Sequence, residues 1–338
     1  LGASRREWFF TSGGTEANNT VLRSMAELPR PVHVVASPIE HPSILRCCEW
    51  LRGHGVAVSL LPVAANGVVQ VEALAELLRP ETRLVTLMAA NNETGVLQPV
   101  QCLAALLRQA GRSTGVAPRE QAVLLHSDAV QAFGRVPLPA AEWGLDAVTV
   151  AAHKLGGPKG VGGLLLREGV AETLPALLLG GQQERSRRAG TESVFLAEGF
   201  RAAAEWVFER LEALAGRLAA QRDRLEQRLA QVEGFFVNGA GAPRVPNTTN
   251  LGFAGVSAQS LLVALDLHGV AVSTGSACSS GAMEPSHVLT AMGLEPERVA
   301  SSLRISLGWA TQDADVDRCA EVLLAQVRRL RARRSSGK

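Results

Sequence analysis

The chain has 338 residues, of which 46% are hydrophobic, and a formal net charge of +2. This length and apolar content are enough for one large or two ordinary domains with packed cores. The nearly balanced charge argues against a dedicated nucleic-acid-binding protein, and no apolar run is long enough to cross a bilayer. The five cysteines are odd in number and form no CxxC pair, which favours a reducing compartment and no cysteine metal site. We therefore expect a cytoplasmic protein with neither a nucleic-acid nor a membrane partner.

Short apolar strands alternate with helices through the first half of the chain. A strand at 7–10 leads through a glycine turn into a helix. Further strands are predicted at 32–37, 57–63, 83–90, 122–128, 147–154 and 162–167. Strands this short and rich in β-branched residues are typical of a buried parallel sheet, and their alternation with helices predicts the α/β class.

The second half has a different pattern. From about Leu196 to Val232 the chain is rich in Ala, Leu, Glu and Arg, and apolar residues recur at three- and four-residue steps between charged residues, at Leu211, Leu214, Leu218, Leu225, Leu229 and Val232. This pattern predicts one amphipathic helix of roughly 30 residues. The segments after Gly234 are short and predict a smaller α+β domain. We therefore predict a large α/β domain over residues 1–205 and a smaller C-terminal domain over residues 206–338, entered through this long helix.

Two polar groups stand at the ends of predicted strands. Asp128 closes the run AVLLHSD, and Lys154 closes the run AVTVAAHK. Lysine is rare here, since only Lys154, Lys159 and Lys338 are lysines among 34 basic residues. A lysine can lose its proton and attack a carbonyl, and pyridoxal phosphate uses such an amine together with an aspartate on its pyridine nitrogen. The alternative is that Lys154 simply starts the glycine turn that follows.

Two weaker signals lie at predicted helix starts. Gly14 and Thr15 open the first helix, where free backbone N–H groups could bind a phosphate, although such turns are often capped for structural reasons alone. His41 begins the next helix and could equally be a cap or a core residue. Cys47 and Cys48 in that helix are most simply buried small hydrophobic residues.

Eight motifs together resemble the cysteine desulfurases, which depend on pyridoxal phosphate. They are SGGTEANN, EHPSI, NNETG, HSDAVQAFG, AHKLGGPKG, RRAGTES, STGSACSSGAMEPSHVL and SLRISLG. The resemblance covers the chain from Phe9 to about Asp317 and implies a fold type I transferase with a mostly parallel sheet. The selenocysteine lyases share most of these motifs.

The resemblance implies a role for several residues around the cofactor ring. Lys154 matches the lysine that binds the cofactor as a Schiff base, and Asp128 matches the carboxylate on the pyridine nitrogen. His41 matches the imidazole that stacks on the ring and shuttles protons. Gln131 and Asn92 match groups that hold the phenolic oxygen and orient the substrate.

The resemblance also implies a phosphate site and a homodimer. Gly14, Thr15 and His153 match the phosphate-binding residues, and Thr191 matches a residue that reaches the phosphate of the neighbouring subunit. Arg304 matches the arginine that binds the substrate carboxylate.

Cys278 matches the nucleophile of the family, which lies in a loop rich in glycine and serine. The implied reaction converts L-cysteine to L-alanine and leaves a persulfide on Cys278. A sulfur-acceptor or iron–sulfur scaffold protein would then take the sulfur. The remaining cysteines, Cys47, Cys48, Cys102 and Cys319, are expected to be buried.

Two departures from the family pattern keep alternatives open. Ala151 stands where most desulfurases have a hydroxyl residue that binds phosphate, and selenocysteine lyases also have an apolar residue there. The family's N-terminal segment is not contained in these residues and Leu1 is not a methionine, so the sequence looks cut at its N-terminus. Besides a desulfurase, we therefore consider a selenocysteine lyase, a truncated inactive homologue that acts as a binding protein, and a plain aminotransferase.

Overall fold

The computed structural model describes residues 1–111, 122–275 and 284–336, with side chains as far as residue 333. Its strands are Trp8–Thr11 (β1), His33–Ala36 (β2), Ala57–Leu60 (β3), Thr82–Thr86 (β4), Leu124–Asp128 (β5), Ala147–Ala151 (β6), Gly162–Leu166 (β7), Phe235–Asn238 (β8), Thr248–Phe253 (β9) and Ser302–Ser306 (β10). Its α-helices are Gly14–Ser24 (α1), Pro42–Gly53 (α2), Leu74–Leu77 (α3), Val100–Gln109 (α4), Ala140–Trp143 (α5), Gln183–Ser186 (α6), Val194–Phe208 (α7), Leu211–Leu229 (α8), Ala258–Asp266 (α9), His287–Ala291 (α10), Pro296–Ala300 (α11) and Asp313–Ser336 (α12). Short 3-10 helices cover Val71–Ala73 and Ala152–Lys154.

The chain folds into two compact units. The larger unit contains Leu1–Pro62, Val69–Asn91 and Gln98–Leu211. The smaller unit contains Val63–Val68, Asn92–Leu97 and Glu212–Lys338.

A seven-stranded sheet forms the centre of the larger unit, in the order β1-β7-β6-β5-β4-β2-β3. Strands β2 to β6 pair in parallel, whereas β7 is antiparallel to both β6 and β1. Every residue of β2, β5, β6 and β7 is buried, which explains their continuous apolar sequences. The predicted α/β class with a mostly parallel sheet is confirmed.

Of the two strands that lead to predicted site residues, one ends where the sequence pattern predicts and the other ends earlier. β5 ends at Asp128 as predicted. β6 ends earlier than predicted, at Ala151, and Lys154 closes the 3-10 turn that follows it. Lys154 therefore lies on the connection between two antiparallel strands, β6 and β7. Gly156 in this connection has a φ of 87°, a conformation that favours glycine.

Helix α1 packs against the sheet through Ala17, Val21 and Leu22, which are fully buried. Its start lies very close to β7, since a Cβ atom on Gly162 would come within 2.7 Å of the Gly13 backbone. Glycine at position 162 thus allows the helix N-terminus to lie directly on the sheet.

The cysteines of the larger unit do not all behave as predicted. Cys47 and Cys48 on α2 are buried in the core, and burial raises their pKa values to about 11 and about 12. The prediction for Cys102 is wrong, because this residue is exposed. Helix α4 turns Leu103 and Leu107 inward, and Cys102 lies on its solvent side.

The smaller unit has its own core. A three-stranded antiparallel sheet of order β10-β9-β8 packs with α8, α9 and α12. Fully buried side chains include Leu225, Phe253, Leu265, Leu303 and Leu323. Cys319 is buried as predicted.

The predicted single long helix is two helices, α7 and α8, separated at Glu209 and Arg210. Helix α7 lies in the larger unit and all of α8 after Leu211 lies in the smaller one. The leucine repeat begins only at Leu211, after the break, and no Gly or Pro marks the break itself.

Across the part of the chain that the structure describes, no helix is both long enough and apolar enough to cross a membrane.

Candidate active site

Asp128 lies at the carboxyl end of β5, where its carboxylate is 5% exposed. Its Oδ2 accepts a hydrogen bond from Asn18 Nδ2 at 2.7 Å, and its Oδ1 accepts one from the Val130 N–H at 3.0 Å. Burial raises the pKa of Asp128, and Asn18, Val130, His41 and Lys154 oppose that shift. The structure therefore brings Asp128, His41 and Lys154 within electrostatic reach of one another.

His41 is the N-cap residue of α2, and its Nδ1 accepts a hydrogen bond from the Ser43 N–H at 3.1 Å. The segment before it is held by Glu40, whose buried Oε1 accepts hydrogen bonds from Ser37 Oγ and the Met88 N–H. These contacts fix the backbone that carries the imidazole, so His41 has a defined position at the sheet edge.

Lys154 and His153 share the 3-10 turn after β6, and both side chains are exposed. Arg135 connects this turn to the end of β5, because its guanidinium donates to the carbonyl oxygens of Gln131 at 2.8 Å and Lys154 at 3.2 Å. Burial lowers the pKa of His153, and the cations Lys154, Lys159 and Arg135 lower it further. This positive surrounding suits an anionic ligand.

The start of α1 offers backbone N–H groups at Gly14 and Thr15. In the described part of the chain, no side chain caps this helix start. Ala151 lies beneath it, since a Cβ atom on Gly14 would be 3.9 Å from the Ala151 Cβ. The helix N-terminus can thus bind an anion through main-chain groups and the helix dipole.

Thr191 is exposed and lines a cavity of about 100 Å³ together with Ser12, Gly160 and Arg188. Arg188 binds Glu16 through two hydrogen bonds, of 2.8 Å and 3.2 Å. Burial would raise the pKa of Glu16, but Arg188 and the Ser12 N–H group hold it below its ordinary value. This ion pair fixes the segment that carries Thr191 against the start of α1.

Asn92 and Arg304 belong to the smaller unit. Arg304 Nη1 donates to the Asn92 carbonyl oxygen at 3.0 Å. Burial lowers the pKa of Arg304, and Glu93 opposes the shift. The two predicted substrate-binding residues are therefore neighbours.

The predicted nucleophile, Cys278, lies outside the described residues. The chain just before it is bound to β10, since the backbones of Ser273 and Arg304 form a β-bridge. The chain after it is anchored at Ser286, whose Oγ donates to the buried Glu93 Oε2 at 2.5 Å.

The chain matches the family model "Aminotransferase class-V" over residues 1–319. This protein belongs to that family. A cysteine desulfurase from Nostoc sp. is 40% identical over 334 residues, which cover 98% of this chain and 80% of that protein. The cysteine desulfurase IscS of Methanosarcina thermophila is 40% identical over 333 residues, covering 98% of this chain and 79% of that one.

Solved structures agree with the family assignment. A NifS-like protein superposes with a TM-score of 0.88 at 32% identity, covering 98% of this chain and 85% of that one. DndA from Streptomyces lividans gives a TM-score of 0.75 at 40% identity, with coverages of 90% and 83%. SspA in complex with cysteine gives 0.76 at 29% identity, with coverages of 91% and 83%. The class-V fold is thus the fold type I of pyridoxal-phosphate enzymes, and this class-V protein takes that cofactor.

The residues present fit pyridoxal phosphate. A buried carboxylate, Asp128, suits a pyridine nitrogen, and the N-terminus of α1 suits a phosphate. Asn18 adds a further sign of a polar ligand site, because its Oδ1 is buried without a hydrogen-bond partner among the described residues. Ala151 supplies no hydroxyl, so the main-chain N–H groups are the donors that the start of α1 offers to a phosphate.

Sequence reasoning did not single out Asn18 and Ser43. Both stand inside quoted motifs, yet the contacts of Asn18 with Ser43 and Asp128 join distant segments. A usable signal was present in α1, where Asn18 occupies the same buried face as Ala17 and Val21. Asparagine is a poor helix former, so its presence on a core face indicates a specific polar contact.

Proposed function

We propose that this protein is a cysteine desulfurase that converts L-cysteine to L-alanine and retains the sulfur as an enzyme persulfide. The observation that carries the proposal is the similarity, over 98% of the chain, to proteins named cysteine desulfurase. The buried Asp128 beside His41 and Lys154 supports it, because the reaction needs these three groups around one cofactor ring.

Five residues of the larger unit would hold the cofactor. The Asp128 carboxylate faces the pyridine nitrogen, and Lys154 Nζ forms the covalent link. Gly14 and Thr15 bind the phosphate through the start of α1. His153 adds a donor from the turn that carries Lys154.

Further groups complete the binding set. Gln131 binds the phenolic oxygen of the ring, and Asn92 orients the substrate near it. Thr191 reaches the phosphate of the neighbouring subunit.

Pyridoxal phosphate, when bound, supplies the electron sink that allows a proton to leave the substrate Cα and the carbon–sulfur bond to break. Lys154 Nζ would be the base that takes that proton. Arg304 binds the substrate carboxylate through its planar guanidinium. His41 provides an imidazole N–H beside the ring.

Cys278 accepts the sulfur. Its thiolate attacks the sulfur of L-cysteine, a new S–S bond forms, and the Cβ–S bond of the substrate breaks. The electron pair of that bond stays with the carbon part, which takes up a proton and leaves as L-alanine. Cysteine and one thiol thus become alanine and one persulfide, with no external oxidant.

The active form would be a homodimer, and its product would serve a sulfur-acceptor or iron–sulfur scaffold protein. Exposed apolar side chains on either side of Thr191 support the dimer, namely Leu179 at 87%, Val194 at 72% and Phe195 at 84% exposure. The acceptor is inferred from the chemistry alone, since a persulfide must be discharged before the next turnover. The cytoplasmic location stays a prediction from the cysteine content.

The deciding experiment combines absorbance spectroscopy with product analysis of the purified protein. We expect an absorbance band from the bound cofactor, and equal amounts of sulfide and alanine when L-cysteine and dithiothreitol are added. Cys278→Ala should keep the band and lose sulfide release, whereas Lys154→Ala should lose the covalent link to the cofactor.

Other products would favour the alternative functions. Turnover of L-selenocysteine with a negligible rate on L-cysteine would indicate a selenocysteine lyase. Pyruvate with transfer of the amino group would indicate an aminotransferase. A protein that takes up no cofactor would indicate a binding protein.

A further inference from the structure

A continuous chain of hydrogen bonds joins Asp128 to His41. Asn18 Nδ2 donates to Asp128 Oδ2 at 2.7 Å and also contacts Ser43 Oγ at 2.8 Å. Ser43 Oγ in turn lies 2.8 Å from His41 Nδ1. Asn18 and Ser43 are both buried, at 1% and 8% exposure, so water does not compete for these bonds.

The direction of these bonds follows from the donors that each group has. The Asn18 NH₂ group can only donate, and it faces Asp128 Oδ2, which accepts. The same nitrogen donates to Ser43 Oγ, and the single hydroxyl hydrogen of Ser43 is then left to point at His41 Nδ1. The Ser43 N–H group donates to that nitrogen too, at 3.1 Å. His41 Nδ1 is therefore an acceptor of two hydrogen bonds, and the ring hydrogen lies on Nε2.

We propose that Asn18 and Ser43 are positioning residues that hold His41 as the neutral tautomer with its hydrogen on Nε2. The same relay couples the orientation of the imidazole to the carboxylate that faces the pyridine nitrogen. His41 then acts beside the ring as a fixed N–H donor. This role rests on the proposed function, whereas the tautomer is a property of the protein itself.

A helix cap alone does not explain this arrangement. N-cap residues are usually Ser, Thr, Asp or Asn, which bind the first helical turn with one oxygen. Here an imidazole occupies the N-cap of α2, and the serine two residues later is directed at the ring. Asn18 Oδ1 is left buried without a hydrogen-bond partner among the described residues. Such a buried polar atom lowers the stability of the fold, so stability does not explain why asparagine stands here. The contacts are organised around the orientation of His41.

The tautomer can be measured directly by nuclear magnetic resonance on the full chain labelled with ¹⁵N-histidine, both as purified and after removal of the cofactor. His41 is assigned from the signals missing in His41→Gln. We expect an unprotonated Nδ1 and a protonated Nε2, with the other tautomer at least about tenfold less populated, since two hydrogen bonds favour the first. Ser43→Ala should reduce that ratio by about three- to tenfold.

Two further variants separate the relay from a general structural effect. Ser43→Thr keeps the hydroxyl and should restore the wild-type ratio. Asn18→Leu replaces the amide with an apolar side chain of similar volume that has no hydrogen-bond donor. The Ser43 hydroxyl is then no longer directed at His41, so the tautomer ratio should fall as in Ser43→Ala. Thermal unfolding of each variant checks that it is folded.

A wild-type protein with its hydrogen on Nδ1, or with evenly mixed tautomers, would overturn the proposal without any variant. An unchanged tautomer ratio in Ser43→Ala would show that the Ser43 backbone N–H alone fixes the tautomer. It would contradict the proposed role of the Asn18 and Ser43 side chains. Neither result depends on turnover, so a protein that lacks desulfurase activity but shows the expected tautomer would contradict the proposed function and leave the relay intact.

Discussion

Several buried ionisable side chains of the larger unit are held uncharged near neutral pH. Burial raises the pKa of Glu40 to about 8. Burial lowers the pKa of His126 to about 3 and, together with Arg79, that of His33 to about 4. His126 bridges β4 and β6 as a neutral ring, through Thr86 Oγ1 at 2.8 Å and Thr149 Oγ1 at 3.0 Å. The neutral form of each group avoids a buried charge, which would be far more costly.

Glu40 gives a pH dependence with a defined sign. Its carboxyl has an ordinary pKa of 4.5 and a folded pKa of about 8, so the folded state binds one more proton between these values. The free energy of unfolding therefore falls as the pH rises through this window, by at most about 1.4 kcal/mol per pH unit. Glu40→Gln cannot titrate and should remove this slope. Chemical denaturation from about pH 5 to about pH 8 measures it.

Glu49→Gln on α2 is the matched control. Glu49 is exposed in an ion pair with Arg46, and such pairs contribute little. This variant should keep the wild-type slope. A Glu40→Gln protein with an unchanged slope would mean that Glu40 is ionised in the folded state.

At the level of elements, the position of α1 on the sheet depends on Gly162. A Cβ atom there would meet the Gly13 backbone at 2.7 Å and the Val150 carbonyl oxygen at 2.8 Å. Gly162→Ala should therefore displace the helix start, destabilise the protein by about 1–3 kcal/mol and weaken cofactor retention. Gly216→Ala is the control, because Gly216 lies in α8 with open space around its Cβ position. Gly216→Ala should raise the free energy of unfolding by about 0.5–1 kcal/mol. Urea denaturation measures both variants, and equal effects would show that the contact between Gly162 and the Gly13 backbone does not limit the residue at position 162.

A second element-level prediction concerns Ser286, which caps α10 and also donates to Glu93. Ser286→Ala removes both contacts, one of them a hydrogen bond to a buried carboxyl group, so it should cost about 2–4 kcal/mol. Ser257→Ala removes only the cap of α9 and should cost about 1 kcal/mol. Denaturation of both variants tests the difference, and equal losses would show that the bond between Ser286 and Glu93 contributes nothing.

At the scale of the whole molecule, the exposed apolar residues near Thr191 predict where subunits meet. Phe195→Glu places a charge on this surface and should convert a dimer into a species with the 35.7 kDa mass of one chain. Val263→Glu is the control, since Val263 is 53% exposed on α9 in the smaller unit and should leave the dimer intact. Sedimentation equilibrium distinguishes the two masses. A Phe195→Glu protein that stays dimeric would exclude this surface.

Much of the site could be predicted from the sequence because strand ends and helix starts are local features. The runs that end at Asp128 and lead to Lys154 indicated the two chemical groups, and the order of the motifs indicated the family. The break between α7 and α8 was not predicted, because no Gly or Pro stands at Glu209 and Arg210. The two helices belong to different units, which only the tertiary structure shows. The exposure of Cys102 likewise depended on which side of α4 meets the core.

The sequence by itself determined the fold class and the family, because periodicity indicates the one and short motifs the other, and it predicted the residues around the cofactor. Only the tertiary structure decided how those residues are held. Asn18 lies 110 residues from Asp128 and 25 from Ser43 along the chain, so their contacts exist only after the sheet has assembled. The direction of the relay to His41 likewise depends on which donors meet in space, and no local pattern specifies that.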